Sequence, residues 1–202
     1  EFISSVSHEL RTPLTAINGW GETLQEEQDP EQLHRGMNII TKEARRLTNM
    51  VEELLEFSRI EDGRFTLHIE ETDLQAEFED AIFTYRELFR QEDIELEYDA
   101  NEDLLPTISG DPERLKQVFC NVLDNAAKHG GSGKRIIVTM RRSPDDYIIT
   151  IRDFGPGIPE AELPFIKQKF YKGSSKARGS GIGLAVCEEI VSRHNGQLII
   201  RN

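Results

Sequence analysis

Two heptad seams in the first sixty residues constrain the fold more than any other feature. Apolar side chains recur at alternating intervals of three and four residues, which is typical of helices packed side by side at shallow angles. The first seam consists of Ile3, Val6, Leu10, Pro13, Ile17, Trp20 and Leu24, and the second of Leu33, Met37, Ile40, Ala44, Leu47, Val51, Leu54 and Ser58. The sequence therefore predicts two long, neighbouring helices.

Asp29 and Pro30 lie between the two seams and indicate where the second helix begins. Aspartate is favoured as an N-cap, and proline is favoured in the first helical turn. The two seams are then the arms of an antiparallel hairpin. Their apolar stripe is wider than one partner helix needs, so we expect a homodimer in which two hairpins form a four-helix bundle.

The segment SRIEDGRF, residues 58–65, breaks the heptads and reads as a linker. We therefore predict two domains, residues 1–60 and 61–202. Helices and strands alternate in the second. We expect strands at RFTLHIEE and IELEYDA and on both sides of the turn Ser-Pro-Asp-Asp. We expect three helices: one from Asp73 to Gln91, one that begins at Asp111-Pro112, and one that ends at Asn195-Gly196. A final expected strand, QLIIRN, is cut short by the end of the sequence. Because two of the strands form a hairpin, the fold class is an α/β sandwich and not a doubly wound sheet.

Charge and cysteine content exclude several functions. The net charge of −13 over 202 residues disfavours a nucleic-acid surface, which needs clustered lysine and arginine. Cys120 and Cys187 lie far apart in apolar helical patterns, without metal-ligand spacing, so we expect reduced core thiols. No apolar run approaches the ~18 residues of a membrane span, so this part of the protein is not expected to contact a membrane. Because the heptads are already under way at the first residue, we expect the chain to be a fragment of a longer protein.

His8 occupies the outermost heptad position and is predicted to face water instead of the seam. Glu9 is adjacent, and Thr12 lies one turn further on, where side chains share a face. Pro13 cannot donate to the carbonyl of Glu9, so we expect the helix to bend or loosen there. A zinc motif is excluded because position 12 is threonine and not a second histidine. An exposed imidazole keeps a neutral nitrogen at physiological pH and is a usable nucleophile, and a neighbouring carboxylate can hold its other proton.

Three later segments suit a nucleotide. Asn121, Asn125 and Lys128 lie on one helix face, and amide oxygens with an ammonium group suit magnesium and phosphate. DFGPGIP follows a strand, where glycines let a ligand approach the backbone and Asp153 can accept a hydrogen bond from an exocyclic amine. RGSGIGLAV places glycines at the start of a helix, whose N–H groups and dipole bind phosphate. Neither a eukaryotic protein kinase nor a P-loop is indicated, because the accompanying motifs are absent from the sequence.

The motif FISSVSHELRTPLTAI resembles the H-box of bacterial two-component sensor histidine kinases, and the three later segments resemble their N, G1 and G2 boxes in family order. The resemblance covers essentially the whole chain. It implies a phosphoacceptor hairpin followed by an ATP-binding domain of the GHKL type. It also implies that His8 is phosphorylated, that Glu9 is its base, and that Thr12 orients the water that dephosphorylates the partner, a response-regulator receiver domain.

The resemblance further implies that ATP and Mg²⁺ are the cofactors, with Asn125 and Asn121 as metal ligands and Asp153 reading adenine. Residues 171–180 would be the ATP lid, with phosphate contacts from Lys172 and Arg178. The full set of implied nucleotide-site residues is Asn121, Asn125, Lys128, His129, Asp153, Gly155, Gly157, Ile158, Phe170, Tyr171, Lys172, Arg178, Gly179, Ser180, Gly181, Ile182, Gly183 and Leu184. The full-length protein would be anchored in the cell membrane, with this part in the cytoplasm.

Two departures from the family pattern bear on the nucleotide site. KQKF places Lys167 where the first aromatic residue of the F-box stands, which predicts altered packing of the lid. His129 stands where an aromatic residue often sits, so its ring is expected to stack or bond differently.

Two other functions stay open at this point. A GHKL ATP hydrolase needs a glutamate one turn before the metal-binding asparagine, where this chain has Asn121. A degenerate scaffold would not require His8, Asn125 and Asp153 together.

Overall fold

The computed structural model describes residues 2–99, 106–169, 171, 173 and 181–202. The chain divides into two compact units. One contains the chain up to Phe65 together with Gly181 and Ile182, and the other contains the described residues from Thr66 to Gly173 and from Gly183 to Asn202. None of the helices in these described ranges has both the length and the apolar character needed to cross a membrane.

The first unit is the predicted helical hairpin. Helix α1 spans Phe2–Gln25 and helix α2 spans Pro30–Glu61. The side chain of Asp29 accepts a hydrogen bond from the N–H of Glu31 at 3.0 Å, and Pro30 occupies the first turn, so the predicted start of α2 is confirmed. Helix α1 continues through Pro13, which is buried.

The linker begins later than the sequence indicates. Helix α2 runs through Ser58 to Glu61, and Asp62 caps its C-terminus. Gly63 follows with a φ of +66°, a conformation that glycine adopts without steric cost. The heptad pattern ends at Ser58 and the helical backbone continues for one more turn, so residues 58–61 of the predicted linker are helical and the break falls at Asp62 and Gly63.

The second unit is built on a mixed three-stranded sheet. Its strands are β2 (Glu95–Asp99), β4 (Arg135–Arg142) and β5 (Tyr147–Asp153). The central strand β4 pairs parallel to β2 and antiparallel to β5, so the predicted β4–β5 hairpin is confirmed. A separate antiparallel pair joins β1 (Glu70–Thr72) to β3 (Ile108–Gly110). The strand predicted for residues 64–71 is therefore mostly absent, since only its last residues pair.

Two helices contribute with β4 to the hydrophobic core. Helix α3 (Leu74–Gln91) and helix α4 (Pro112–Gly130) begin at the predicted caps, where Asp73 accepts from Ala76 N–H and Asp111 from Arg114 N–H. Their buried faces form one cluster with the inward side chains of β4. Full burial of Phe78, Leu123, Ile136, Val138 and Met140 marks its centre. The fold is thus the predicted α/β sandwich.

Helix α5 spans Gly183–Arg193 and packs on α4. Asn195 follows with a φ of +60°, which ends the helix where the sequence predicted. The strand predicted for QLIIRN is not formed, because residues 197–202 have no strand pairing. Cys120 and Cys187 are both free thiols, as predicted, and burial raises the pKa of Cys120.

Candidate functional site

His8 lies on the solvent side of α1, as its heptad position predicts. The partly buried Thr12 is one turn away, and its hydroxyl donates to the carbonyl oxygen of His8 at 3.3 Å. The imidazole and the hydroxyl therefore belong to one face of the helix. The hydroxyl donates its proton to the backbone, and its oxygen keeps the capacity to accept a hydrogen bond.

Glu9 lies on the side of α1 that meets α2. Its carboxylate is 3.7 Å from one guanidinium nitrogen of Arg46. The other terminal guanidinium nitrogen of Arg46 is 3.5 Å from the carboxylate of Glu43. The Arg46 cation thus lies between Glu43 of its own helix and Glu9 of α1. No local pattern in the sequence predicts the contact of Arg46 with Glu9, because the two residues are 37 positions apart and only the hairpin geometry brings them together.

The predicted polar face of α4 is present in the second unit. Asn121 and Asn125 are partly buried and Lys128 is exposed. Gly183, the first residue of α5, lies beside Asn121, since a Cβ atom at Gly183 would be 4.0 Å from the amide oxygen. The N-terminal end of α5, with its free N–H groups, therefore adjoins the amide face of α4.

Within the described ranges, no cluster of three or more His, Cys, Asp or Glu side chains is arranged to hold a metal ion. The amide oxygens of Asn121 and Asn125 are hard donors, as Mg²⁺ prefers. Next to them, the α5 terminus presents N–H groups suited to phosphate oxygens. The donor chemistry of this site fits a magnesium–nucleotide complex.

Asp153 ends β5 and lies tightly against the end of α4. A Cβ atom at Gly130 would overlap the Asp153 carboxylate, and one at Gly155 would be 2.5 Å from the Cα atom of Gly130. The Asp153 carboxylate accepts from the N–H of Gly155 at 2.9 Å. Two glycines thus let helix and turn approach closely enough to fix this carboxylate, and Gly130 was missed because a glycine ending a helix also reads as an ordinary stop.

The turn after Asp153 is held at its far end by the C-terminal residue. Asn202 accepts from the N–H of Ile158 at 2.8 Å and donates to its carbonyl at 2.7 Å. Gly157, before it, has a φ of +76°. The ring of Phe154 carries Arg135 and Arg152 at 5.2 and 4.9 Å from its centroid, which adds cation–π contacts. The contact between Asn202 and Ile158 spans 44 positions, and no local sequence pattern predicts it.

His129 lies next to this corner, near Asp153. Desolvation lowers the pKa of its ring and the Lys128 cation lowers it further, while Asp153 acts in the opposite direction. The residue as a whole is exposed, so the desolvation concerns the ring side that faces the protein. The imidazole is therefore biased towards its neutral form.

Several predicted nucleotide residues lie outside the described residues: Phe170, Lys172, Arg178, Gly179 and Ser180. Tyr171 is described, and its ring lies 5.8 Å from that of Phe165. Gly181 and Ile182 are grouped with the first unit, and Ile182 is fully buried. Leu184 is partly buried in the first turn of α5. Assigning nucleotide contacts to these residues stays a prediction.

Lys167 has polar partners where the sequence predicted altered packing. Its ammonium group lies 3.0 Å from Glu188 of α5 and 3.0 Å from the carbonyl oxygen of Leu198. The segment after β5 is therefore attached both to α5 and to the C-terminal segment. An ion pair occupies the position for which the resemblance implies an aromatic contact.

Two family models match the chain, each over one part. Residues 1–63 match the His Kinase A (phospho-acceptor) domain. Residues 110–202 match the histidine kinase-, DNA gyrase B-, and HSP90-like ATPase.

Curated relatives align over the whole chain. A signal transduction histidine-protein kinase of Streptomyces coelicolor, AfsQ2, is 34% identical over 217 residues, and the match covers 39% of it. The sensor protein SphS of Synechococcus elongatus is 34% identical over 213 residues, and the match covers 51% of it. The chain thus spans about half or less of the length of these relatives.

Solved structures share the architecture. The histidine kinase AdeS of Acinetobacter baumannii superposes with a TM-score of 0.68 at 25% identity, covering 92% of this chain and 86% of that one. The histidine kinase ThkA, solved in complex with the response regulator protein TrrA, gives a TM-score of 0.71 at 27% identity. That match covers 96% of this chain and 55% of the other.

Proposed function

The chain belongs to the sensor histidine kinases of two-component systems, and on that premise we propose that it catalyses transfer of the γ-phosphoryl group of ATP to His8. A second transfer then passes the group to an aspartate of a response-regulator receiver domain. The observation that carries the proposal is that one chain contains both features. The hairpin has an exposed imidazole, and the second unit has an amide face that adjoins a helix N-terminus.

The second unit holds the nucleotide. The match to the ATPase family model supports ATP as the ligand. Asp153, fixed against Gly130, accepts a hydrogen bond from the adenine amine, and the N–H groups at the start of α5, at Gly183, donate to phosphate oxygens. Asn121 and Asn125 would hold Mg²⁺ through their amide oxygens, and the bound ion neutralises phosphate charge. These residues orient the γ-phosphoryl group and contribute through positioning and charge.

His8 supplies the acceptor nitrogen. Its exposure lets the imidazole reach a phosphoryl group, and Glu9 holds the proton on the other ring nitrogen as positive charge develops. Glu9 faces Arg46 in this structure, so a change of its side-chain rotamer brings the carboxylate to the imidazole. The product is a phosphohistidine, from which the receiver aspartate takes the group.

We also propose homodimerisation through the hairpin. Leu14, Met37, Val51 and Leu55 are between 40% and 57% exposed on α1 and α2, although all are large and apolar. A second hairpin would cover these side chains and complete a four-helix bundle. On the same family grounds we place the full-length protein in the cell membrane.

A phosphatase activity towards the regulator is proposed for Thr12. Its hydroxyl shares the face of His8 and donates to the His8 carbonyl, and its oxygen can orient a water molecule by accepting a hydrogen bond from it. Replacing Thr12 by alanine should slow dephosphorylation of the regulator while His8 is still labelled, and Thr12→Ser should retain the activity. Equal dephosphorylation rates for the alanine variant and the native protein would remove Thr12 from this role.

The kinase is tested by incubating the chain with radiolabelled ATP and magnesium. Acid-labile, base-stable label should appear on the native protein and not on His8→Gln. Asp153→Asn should reduce labelling by weakening ATP binding. Label that persists in His8→Gln would show that the acceptor is another residue.

A further inference from the structure

We infer that Lys167 is a positioning residue for ATP binding, acting through its ion pair with Glu188 and its hydrogen bond to Leu198. The inference rests on the proposed function, since it concerns the affinity of the same nucleotide site. It assigns to the lysine the task of holding the segment after β5, helix α5 and the C-terminal segment in one arrangement.

The geometry of the contact is the first support. The Lys167 ammonium donates at 3.0 Å to a carboxylate oxygen of Glu188 and at 3.0 Å to the carbonyl oxygen of Leu198. One cation thus joins three separate stretches of the chain. Charge-assisted hydrogen bonds of this length are stronger than neutral ones and are directional.

The second support is the environment of Glu188. Its other carboxylate oxygen is buried and has no hydrogen-bond partner among the described residues. The Glu188 side chain as a whole is 41% exposed, and Lys167 is the cation that pairs with its carboxylate. Removing the lysine leaves the carboxylate without its cation and with one buried oxygen, which favours movement of the Glu188 side chain or of α5 towards solvent.

The position of Glu188 connects this contact to the nucleotide site. Glu188 is five residues after Gly183, so the two lie little more than one turn apart on α5. At the other end of the bridged segment, Ile158 is fixed to Asn202 by two hydrogen bonds. The turn after β5, which is proposed to contact adenine, is therefore bonded to residues 198–202 through Asn202. Helix α5, which is proposed to contact phosphate, is connected to the same segment through Lys167.

The expected consequence is a change in ATP affinity and not in the chemical step. Lys167 contacts neither His8 nor the amide face of α4 in the described contacts, so it does not act on the reacting atoms. If α5 shifts relative to the turn after β5, the phosphate and adenine contacts no longer fit one ATP molecule at once. We expect Lys167→Met to raise the KM for ATP about threefold, equivalent to ~0.7 kcal/mol of binding, with little change in kcat.

Conservative variants separate the two contacts. Lys167→Arg retains a cation that can reach both acceptors and should restore KM most of the way. Glu188→Gln abolishes the ion pair and leaves the bond to Leu198, so its KM should lie between those of the native protein and Lys167→Met.

Lys116 provides a matched control. It pairs with Asp80 on the same unit, and its side chain is 37% exposed against 38% for Lys167. Lys116→Met therefore removes a lysine ion pair of similar exposure that does not involve α5 or the C-terminal segment. Its KM for ATP should equal that of the native protein.

The experiment measures kcat and KM for autophosphorylation, and the Kd for ATP with magnesium, in the native chain and these four variants. The KM of Lys167→Met divided by that of the native protein should fall towards one as the salt concentration rises to about 1 M. At that concentration the screening length for the Lys167–Glu188 ion pair is ~3 Å. An unchanged KM in Lys167→Met, an equal rise in Lys116→Met, or a fall in kcat without a rise in KM would each overturn the inference. If the native chain neither binds ATP nor is labelled, the proposed function fails instead, so the two failures are distinguishable.

Discussion

Gly130 offers the sharpest test of how the second unit fixes Asp153. A methyl group at this position would overlap the Asp153 carboxylate. The backbone of Gly130 has φ −100° and ψ −8°, which alanine can adopt, so the destabilising part of Gly130→Ala is steric. Either Asp153 must move, breaking its bond to the N–H of Gly155, or the end of α4 must shift.

The cost can be approximated from the two contacts. Overpacking a tight contact costs about 1–3 kcal/mol, and the lost hydrogen bond adds about 1 kcal/mol because the carboxylate regains water. A total of about 3 kcal/mol in a unit of this size lowers the unfolding temperature by roughly 10 °C. The affinity for ATP should fall as well, because the displaced carboxylate no longer meets the adenine amine.

Gly131→Ala is the matched control. Its Cβ atom would lie 3.3 Å from the tip of the Ile94 side chain, which can move aside, and the φ of −59° suits alanine. Differential scanning calorimetry and ATP titration should show a large loss for Gly130→Ala and a small one for Gly131→Ala. Fluorescence of Trp20, the only tryptophan, should report an unchanged first unit. If both variants unfold at the same temperature and bind ATP equally, the steric argument is wrong.

Three further outcomes are expected. The Nε2 atom of His194 accepts a hydrogen bond from the N–H of the buried Asp111, and its Nδ1 atom contacts the Ile190 carbonyl. Replacing His194 by alanine should therefore lower the free energy of unfolding in urea by about 1–3 kcal/mol. His68→Ala, at an exposed side chain, should leave it unchanged. Because burial lowers the pKa of His129, the unfolded chain takes up a proton at this residue before the folded chain does as the pH falls, and the free energy of unfolding should decrease below about pH 6.5. A His129→Gln variant should show a shallower decrease. Parallel curves of unfolding free energy against pH for the two proteins would contradict this. Gly63 has a positive φ and open space around its Cα, so Gly63→Ala should destabilise the hairpin by about 1 kcal/mol and Gly63→Asn by less. Thermal unfolding followed by Trp20 fluorescence measures both variants. Equal unfolding temperatures for the two would refute the dihedral explanation.

Local patterns predicted most of the architecture because each has a short-range physical cause. The heptads and Asp29-Pro30 defined the hairpin, and Asp73 and Asp111 cap their helices where expected. Two predictions failed at chain segments whose structure depends on distant partners. RFTLHIEE and QLIIRN have strand-like composition, yet only Glu70–Thr72 finds a pairing strand.

The candidate site shows the same division. The exposure of His8 and the shared face of Asn121 and Asn125 follow from helical periodicity, and the structure agrees. Contacts between residues far apart in sequence were not predictable. The approach of Asp153 to Gly130 and the bridge from Lys167 to Glu188 depend on how strands and helices pack, which the linear spacing does not encode.

Phosphate transfer to His8 is tested most directly by locating the phosphate after incubation with ATP and magnesium, using tandem mass spectrometry under conditions that preserve phosphohistidine. We expect phosphate on the peptide that contains His8, and its loss when Asn125 is replaced by alanine. Steady release of inorganic phosphate, with no modified His8 at any time, would contradict it and identify the chain as an ATP hydrolase.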